Sequence, residues 1–243
     1  MNLDELDKAS QKNKAKLNKT LTQVKRTLNQ AIKDQKQDVV DFNVRFYIIL
    51  QVAWLESTLL YLIFHHKKQL NDYNRTDVLN AKTQVDKWDF ILEYFFRKYY
   101  LNGKTSKEFN LVNVSHNTLN RYNYLKKLLH EEVKVFIEIR NKLAHGQWSV
   151  VLNSDMTGKS QELTTRVWTL TKKETWHSKN IIVNFSKLME KLIMSQNAFE
   201  LSFDDLVRAI ETTRNLHGPN FQKVIDNMHK SWSKVEVEIK RKN

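Results

Sequence analysis

Five residues in this chain oblige the backbone to bend or break: Pro219 and the glycines at 103, 146, 158 and 218. Proline removes a helical N–H and clashes with the preceding turn, and glycine adds backbone entropy that loosens a helix. With so few of either in 243 residues, long uninterrupted helices are favoured over the turn-dense sandwiches and barrels of all-β proteins. The chain is 41% apolar and long enough to bury a sizeable core. A mainly α-helical bundle is the expected fold class.

The periodicity places the helices. Leu17, Leu21, Val24, Leu28 and Ala31 recur at spacings of four and three within the lysine-rich segment 1–37, which reads as a long, basic, amphipathic N-terminal helix. Its seam either packs on its own domain or meets a second copy. Residues 38–243 then read as one helical domain, with no linker rich in Gly, Pro or Ser to divide it. Asp41 to about Gln69 is an apolar helix whose stretch from Phe46 to Phe64 has the length of a bilayer span, but Gln51, Glu56, Ser57 and Thr58 lie at mid-depth. A central acid costs about 2.5–3.5 kcal/mol on insertion, so a helix buried in protein is expected, with no membrane partner.

Thr83–Leu101 is an aromatic-rich helix, residues 102–118 a loop, and roughly Leu119–His145 a further helix carrying Leu125, Leu128, Val135, Ile139 and Leu143, with Gly146 at its end. Beyond Gly146 the period changes. "QWSVVLN" and "TTRVWTLTKK" flank the turn-rich "SDMTGKSQ", which predicts a β-hairpin at about 147–172. Helical spacing returns at Ile181, Phe185, Leu188, Met189 and Leu192. Ser202 and Asp205 predict a capping-box start for the next helix, stopped by Gly218-Pro219, and a last helix follows from about Phe221 to the basic tail "KRKN".

Forty basic residues against twenty-seven acidic ones give a net charge of +13 and a pI near 9.7. That balance favours a polyanionic partner. The absence of cysteine excludes disulfides, thiolate nucleophiles and zinc-finger ligands. The N-terminus "MNLDELDKASQKNK" lacks the apolar core of a secretory signal, so a cytoplasmic location is expected. No phosphate-binding glycine loop or Ser-His-Asp order is visible, and "HEEVK" at 130–134 lacks the second histidine of a zinc-protease helix.

The candidate chemistry lies in "EIRNKLAHGQW", residues 138–148. Asn141 and His145 are four apart and share a helix face, and Arg140 adjoins Asn141. The set combines a group that titrates near neutrality, a permanent cation with a forked donor, and an amide able to orient either. No metal or cofactor is needed for it to act. Such an inventory suits RNA cleavage by transesterification, in which the ribose 2′-hydroxyl attacks phosphorus and the 5′-oxygen departs. Negative potential at a helix C-terminus favours imidazolium, which biases His145 toward protonating the leaving oxygen. The simpler alternative is that Arg140 and His145 cap the last carbonyls of their helix.

Arg140-Asn141-x-x-x-His145 at a helix end, in an α-helical chain with an upstream apolar helix bearing an acid, resembles the HEPN superfamily, over about residues 40–215. The resemblance implies a helical bundle, metal-independent endoribonuclease activity, and homodimers in which two motifs form one composite site. It also implies a setting in toxin–antitoxin, abortive-infection or other antiviral systems, with RNA as substrate and an antitoxin or defence protein as partner. Arg140 would stabilise the phosphate in the transition state, Asn141 orient, and His145 transfer protons. The N-terminal helix and the hairpin stand outside the common core.

Glu56 is an acid inside an apolar helix and must be paired or solvated. A pairing with Arg140 would fix the guanidinium for phosphate; a surface position or another lysine partner is the alternative. Lys142, Lys25, Arg26 and Arg166 are candidate nucleic-acid contacts, and Trp148, Trp168 and Trp176 are either base-stacking platforms or core cover. The rival to the nuclease is a non-catalytic basic module that binds nucleic acid or a partner protein.

Overall fold

The computed structural model describes residues 2–104, 107–153 and 155–216, the last two as backbone only. The described chain is mainly α-helical. Helix α1 (Leu3–Lys33) opens on a capping box between Asn2 and Glu5, with Asp4 and Glu5 in its first turn. It runs for 31 residues to a short link in which Gln35 takes a left-handed φ of 55°. Helix α2 (Gln37–His65) returns antiparallel to it, since Lys67 and His65 at its end reach Asp4 and Asp7 at the start of α1. Val24, Leu28 and Ala31 are buried, so the seam predicted for the N-terminal helix closes on α2 of the same chain.

Helices α3 (Asp72–Asn80) and α4 (Gln84–Tyr100) follow, each capped at its N-terminus, by Asn71 and Thr83. The sequence reading contained no α3. Helix α5 (His116–Lys127) starts at the cap Ser115, passes through a π-helical segment (Leu128–Val133), and continues as α6 (Lys134–Ala144). The wider π turn changes the rotation per residue, so it resets which way α6 points its side chains. Helix α8 (Lys172–Met194) and helix α9 (Gln196–Leu216) complete the described fold.

The main core lies between α2, α4, the π segment, α8 and α9. Leu55, Leu59 and Ile63 of α2 meet Trp88, Ile91 and Phe95 of α4 and Phe185 and Met189 of α8, all 0–1% exposed. Burying one such side chain contributes about 1.5–3 kcal/mol. Helix α2 has the length and mean hydropathy of a membrane span, but most of its apolar stretch is covered by its neighbours. A second, smaller core forms under the end of α6, from Leu28, Val44, Ile48, Ile139, Leu143, Val151, Val167 and Leu170.

Two expectations are corrected. Among the described residues there is no β-hairpin at 147–172. A single antiparallel bridge joins Leu152 to Lys159, closed by Asn153, and helix α7 (Gln161–Trp168) occupies the second predicted strand. The β-branched residues suggested a strand, but Leu163, Val167 and Leu170 recur at helical spacing and turn toward the second core. The Thr164 hydroxyl accepts the Val151 N–H at 3.0 Å, and Arg166 pairs with Glu162 one turn away. Nor does Ser202 start a helix. Helix α9 begins six residues earlier, with Ser195 Oγ accepting the Ala198 N–H at 3.1 Å, and Phe199, Phe203 and Ile210 carry one apolar stripe past Ser202. The expected stop at Gly218-Pro219 and the last helix lie outside the described residues.

Candidate functional site

The end of α6 is shaped by its backbone. His145 is the capping residue, at φ −89° and ψ 18°, and Gly146 follows in the left-handed region at φ 77°. The Gly146 N–H donates to the Leu143 carbonyl at 3.1 Å and the Gln147 N–H to the Lys142 carbonyl at 3.0 Å. These two bonds are the Schellman arrangement, which needs a residue tolerant of positive φ. The Trp148 indole N–H adds a bond to the Leu143 carbonyl at 2.9 Å, and its ring stacks on Phe42 at 5.8 Å. The Lys142 and Leu143 carbonyls are thus satisfied without the side chain of Arg140 or His145. Asn141 and His145 are both exposed, and the His145 ring makes no hydrogen bond among the described residues.

Arg140 points the other way, into the fold. Its guanidinium is ion-paired with Glu56 of α2, and the two side chains retain 20% and 36% of their exposure. Burial pushes the Arg140 pKa down from its ordinary value, although a guanidinium stays charged at any working pH. Its Nε is buried and has no hydrogen-bond partner. Of the alternatives weighed for Glu56, the pairing with Arg140 is therefore the one present, and one guanidinium donor is unspent beside it. Five residues of helix separate Arg140 from His145, about 7.5 Å of rise and about 140° of rotation.

The other predicted contacts do not gather here. The Lys142 amine donates to the Leu152 carbonyl at 2.7 Å and so tethers the loop after α6. Arg166 is paired with Glu162 at 2.9 Å on α7. Lys25 and Arg26 are exposed on α1, which packs over Tyr47, Gln51 and Trp54. Helical phase sets those three residues on the side of α2 away from Glu56. Trp168 is exposed, with its indole N–H on the Ser149 carbonyl, and Trp176 is exposed on α8.

One neighbour was missed by sequence reasoning. Glu132, Phe136 and Arg140 follow one another at intervals of four, and His177 of α8 stands against this stripe, its ring 6.3 Å from Phe136 and its Nε2 3.9 Å from Glu132. Burial, and then the charge of Arg214, push its pKa down. Nothing local in "KETWHSKN" marks this histidine; only the packing of α8 on the π segment brings it there. The set can hold an anionic group at Arg140 and offer an exposed imidazole one and a half turns away. Comparison with protein-family models, with curated proteins and with solved structures gives no match for this chain.

Proposed function

We propose that this protein is a metal-independent, HEPN-like endoribonuclease that cleaves RNA by 2′-hydroxyl transesterification, acting as a homodimer in phage defence or a toxin–antitoxin system. The observation that carries the reading is the division of labour at the end of α6. Backbone and Trp148 cap the helix, which leaves His145 exposed and Arg140 fixed against Glu56.

In this scheme the 2′-oxygen forms a bond to phosphorus and the bond to the 5′-oxygen breaks. His145 delivers the proton that the departing 5′-oxygen takes up, and Arg140 neutralises the charge that builds on the non-bridging oxygens. Glu56 holds the guanidinium in one orientation, so that little reorganisation accompanies the reaction. Asn141 stands between the two on the helix and orients the phosphate or the imidazole. A second copy of the motif, in a dimer, supplies the group that takes the 2′-hydroxyl proton.

A second reading rests on the rotation between Arg140 and His145 and on the ion pair itself. With its charge already met by Glu56, Arg140 can serve as a cross-brace between α2 and α6 in a non-catalytic module that binds nucleic acid or a protein. The two readings separate when purified protein is incubated with mixed RNA in EDTA, beside Arg140→Ala and His145→Ala variants. The nuclease yields cyclic-phosphate ends that both variants abolish; binding without scission in all three proteins overturns it.

A further inference from the structure

The strongest independent feature lies on the opposite side of α2. Helices α1, α2 and α8 enclose a cleft of about 190 Å³, lined among others by Asn18, Thr22, Lys25, Trp54 and Lys179. That is well above the roughly 10–15 Å³ a cavity needs to hold one water. Its wall is apolar, from Leu21, Ile182 and Val183. Its two charged groups, Lys25 and Lys179, are both cations, and no carboxylate lines it.

That asymmetry follows from the sequence. From Lys8 to Lys33, α1 carries eight basic residues and no acid. The two acids of α8 are committed elsewhere: Glu174 closes the capping box with Thr171, and Glu190 acts on Lys14, Tyr61 and His66. Glu56 of α2 faces Arg140. Lys25 and Lys179 stand at the mouth of the cleft, with no carboxylate partner for either among the described residues. They are close enough that Lys25 helps burial to push the amines of Lys179 and Lys172 down.

The Trp54 side chain, 8% exposed, forms part of the same wall. Gln51 on the same wall is satisfied within the protein, since it donates to the Thr175 carbonyl at 2.9 Å and accepts from Ser178 at 2.5 Å.

We propose that this cleft is a binding site for a small phosphate-bearing ligand, its phosphate held between Lys25 and Lys179 at the mouth and its organic part resting on the apolar wall and Trp54. Two like charges at the rim of an acid-free cavity are matched by a compact dianion. The site is separate from Arg140 and His145 and does not depend on their being catalytic.

The test is isothermal titration calorimetry and thermal melting of the full chain with three probes: inorganic phosphate, AMP and adenosine. Phosphate and AMP are expected to bind and raise the melting temperature, AMP more strongly if the organic part contributes, and adenosine to do neither. Lys25→Gln and Lys179→Gln should each weaken AMP binding about tenfold, the loss of one charge-assisted contact. Lys16→Gln, on the far side of α1, removes the same charge and should change nothing. Equal loss in Lys16→Gln, no response to phosphate or AMP, or equally tight binding of a 5′-hydroxyl RNA lost in the same lysine variants would each overturn the proposal.

Discussion

Glu56 of α2 and Arg140 of α6 meet as an ion pair between two helices, and the guanidinium is more deeply buried than the carboxylate. Replacing Glu56 with Gln leaves a part-buried cation without its counter-charge. Because the carboxylate side is more than one-third exposed, the loss is expected to be about 1–2 kcal/mol, below the 3–5 typical of a buried pair. Urea unfolding measures it. Glu56→Gln combined with Arg140→Met removes both charges and should restore stability to within about 1 kcal/mol of the parent. RNA cleavage should be lost in the double variant and cut in Glu56→Gln by more than the unfolded fraction explains. An unchanged rate in Glu56→Gln removes Glu56 from the site.

His145 offers the complementary case. Its ring is exposed and makes no hydrogen bond among the described residues, so His145→Ala should alter unfolding free energy by no more than about 0.5 kcal/mol. A proton-transfer role predicts a rate lowered about a hundred- to ten-thousandfold. Full-length RNA cleavage by a stably folded His145→Ala protein would assign the proton transfer elsewhere, and His177, packed against Phe136 and Glu132, is the histidine to replace next.

These contrasts show which parts of the molecule were readable in advance. Val24, Leu28 and Ala31 announced the α1 seam, because a long helix with one apolar face must bury it. The start expected at Thr83 coincides with a capping box between Thr83 and Asp86 at the head of α4. The same chemistry was present at Thr171 and Glu174, a capping box that begins α8, but the β-branched residues around it were read as a strand. Strand propensity is a surface-fitting tendency and yields to packing, here of Val167 and Leu170 beneath α6. The π segment left no mark in the apolar spacing, since Leu125, Leu128 and Val133 suit either winding. Glu56 stood out as a lone acid in an apolar helix. His177 could not, because its place depends on α8 reaching the π segment.

Gly146 holds His145 in place through its own backbone. A Cβ there would meet nothing within 4 Å, so the whole cost of substitution comes from its φ of 77°. Gly146→Ala should therefore destabilise by about 1 kcal/mol, and Gly146→Asn by less, since Asn tolerates the left-handed region. Thermal unfolding orders the three proteins. If His145 acts from this geometry, cleavage should fall in the same order, with Gly146→Ala lowest.

The pH dependence of stability follows from two half-buried histidines. Burial is the main cause that lowers the pKa of both His177 and His66 from 6.5. Each is therefore protonated more readily in the unfolded chain than in the folded one. The unfolded state then binds more protons as pH falls below about 6.5, and stability declines in that window and is fully present above it. Carboxylates with depressed values, such as Glu200, lose their contribution only at lower pH, below their ordinary value of 4.5. Unfolding free energy measured by urea between pH 7.5 and pH 5, limits chosen about one unit above and below the histidine range, should drop on the acidic side. His177→Gln and His66→Gln should each flatten that slope, and the double variant should flatten it most. A slope unchanged in the double variant would mean that neither ring is kept neutral by the fold.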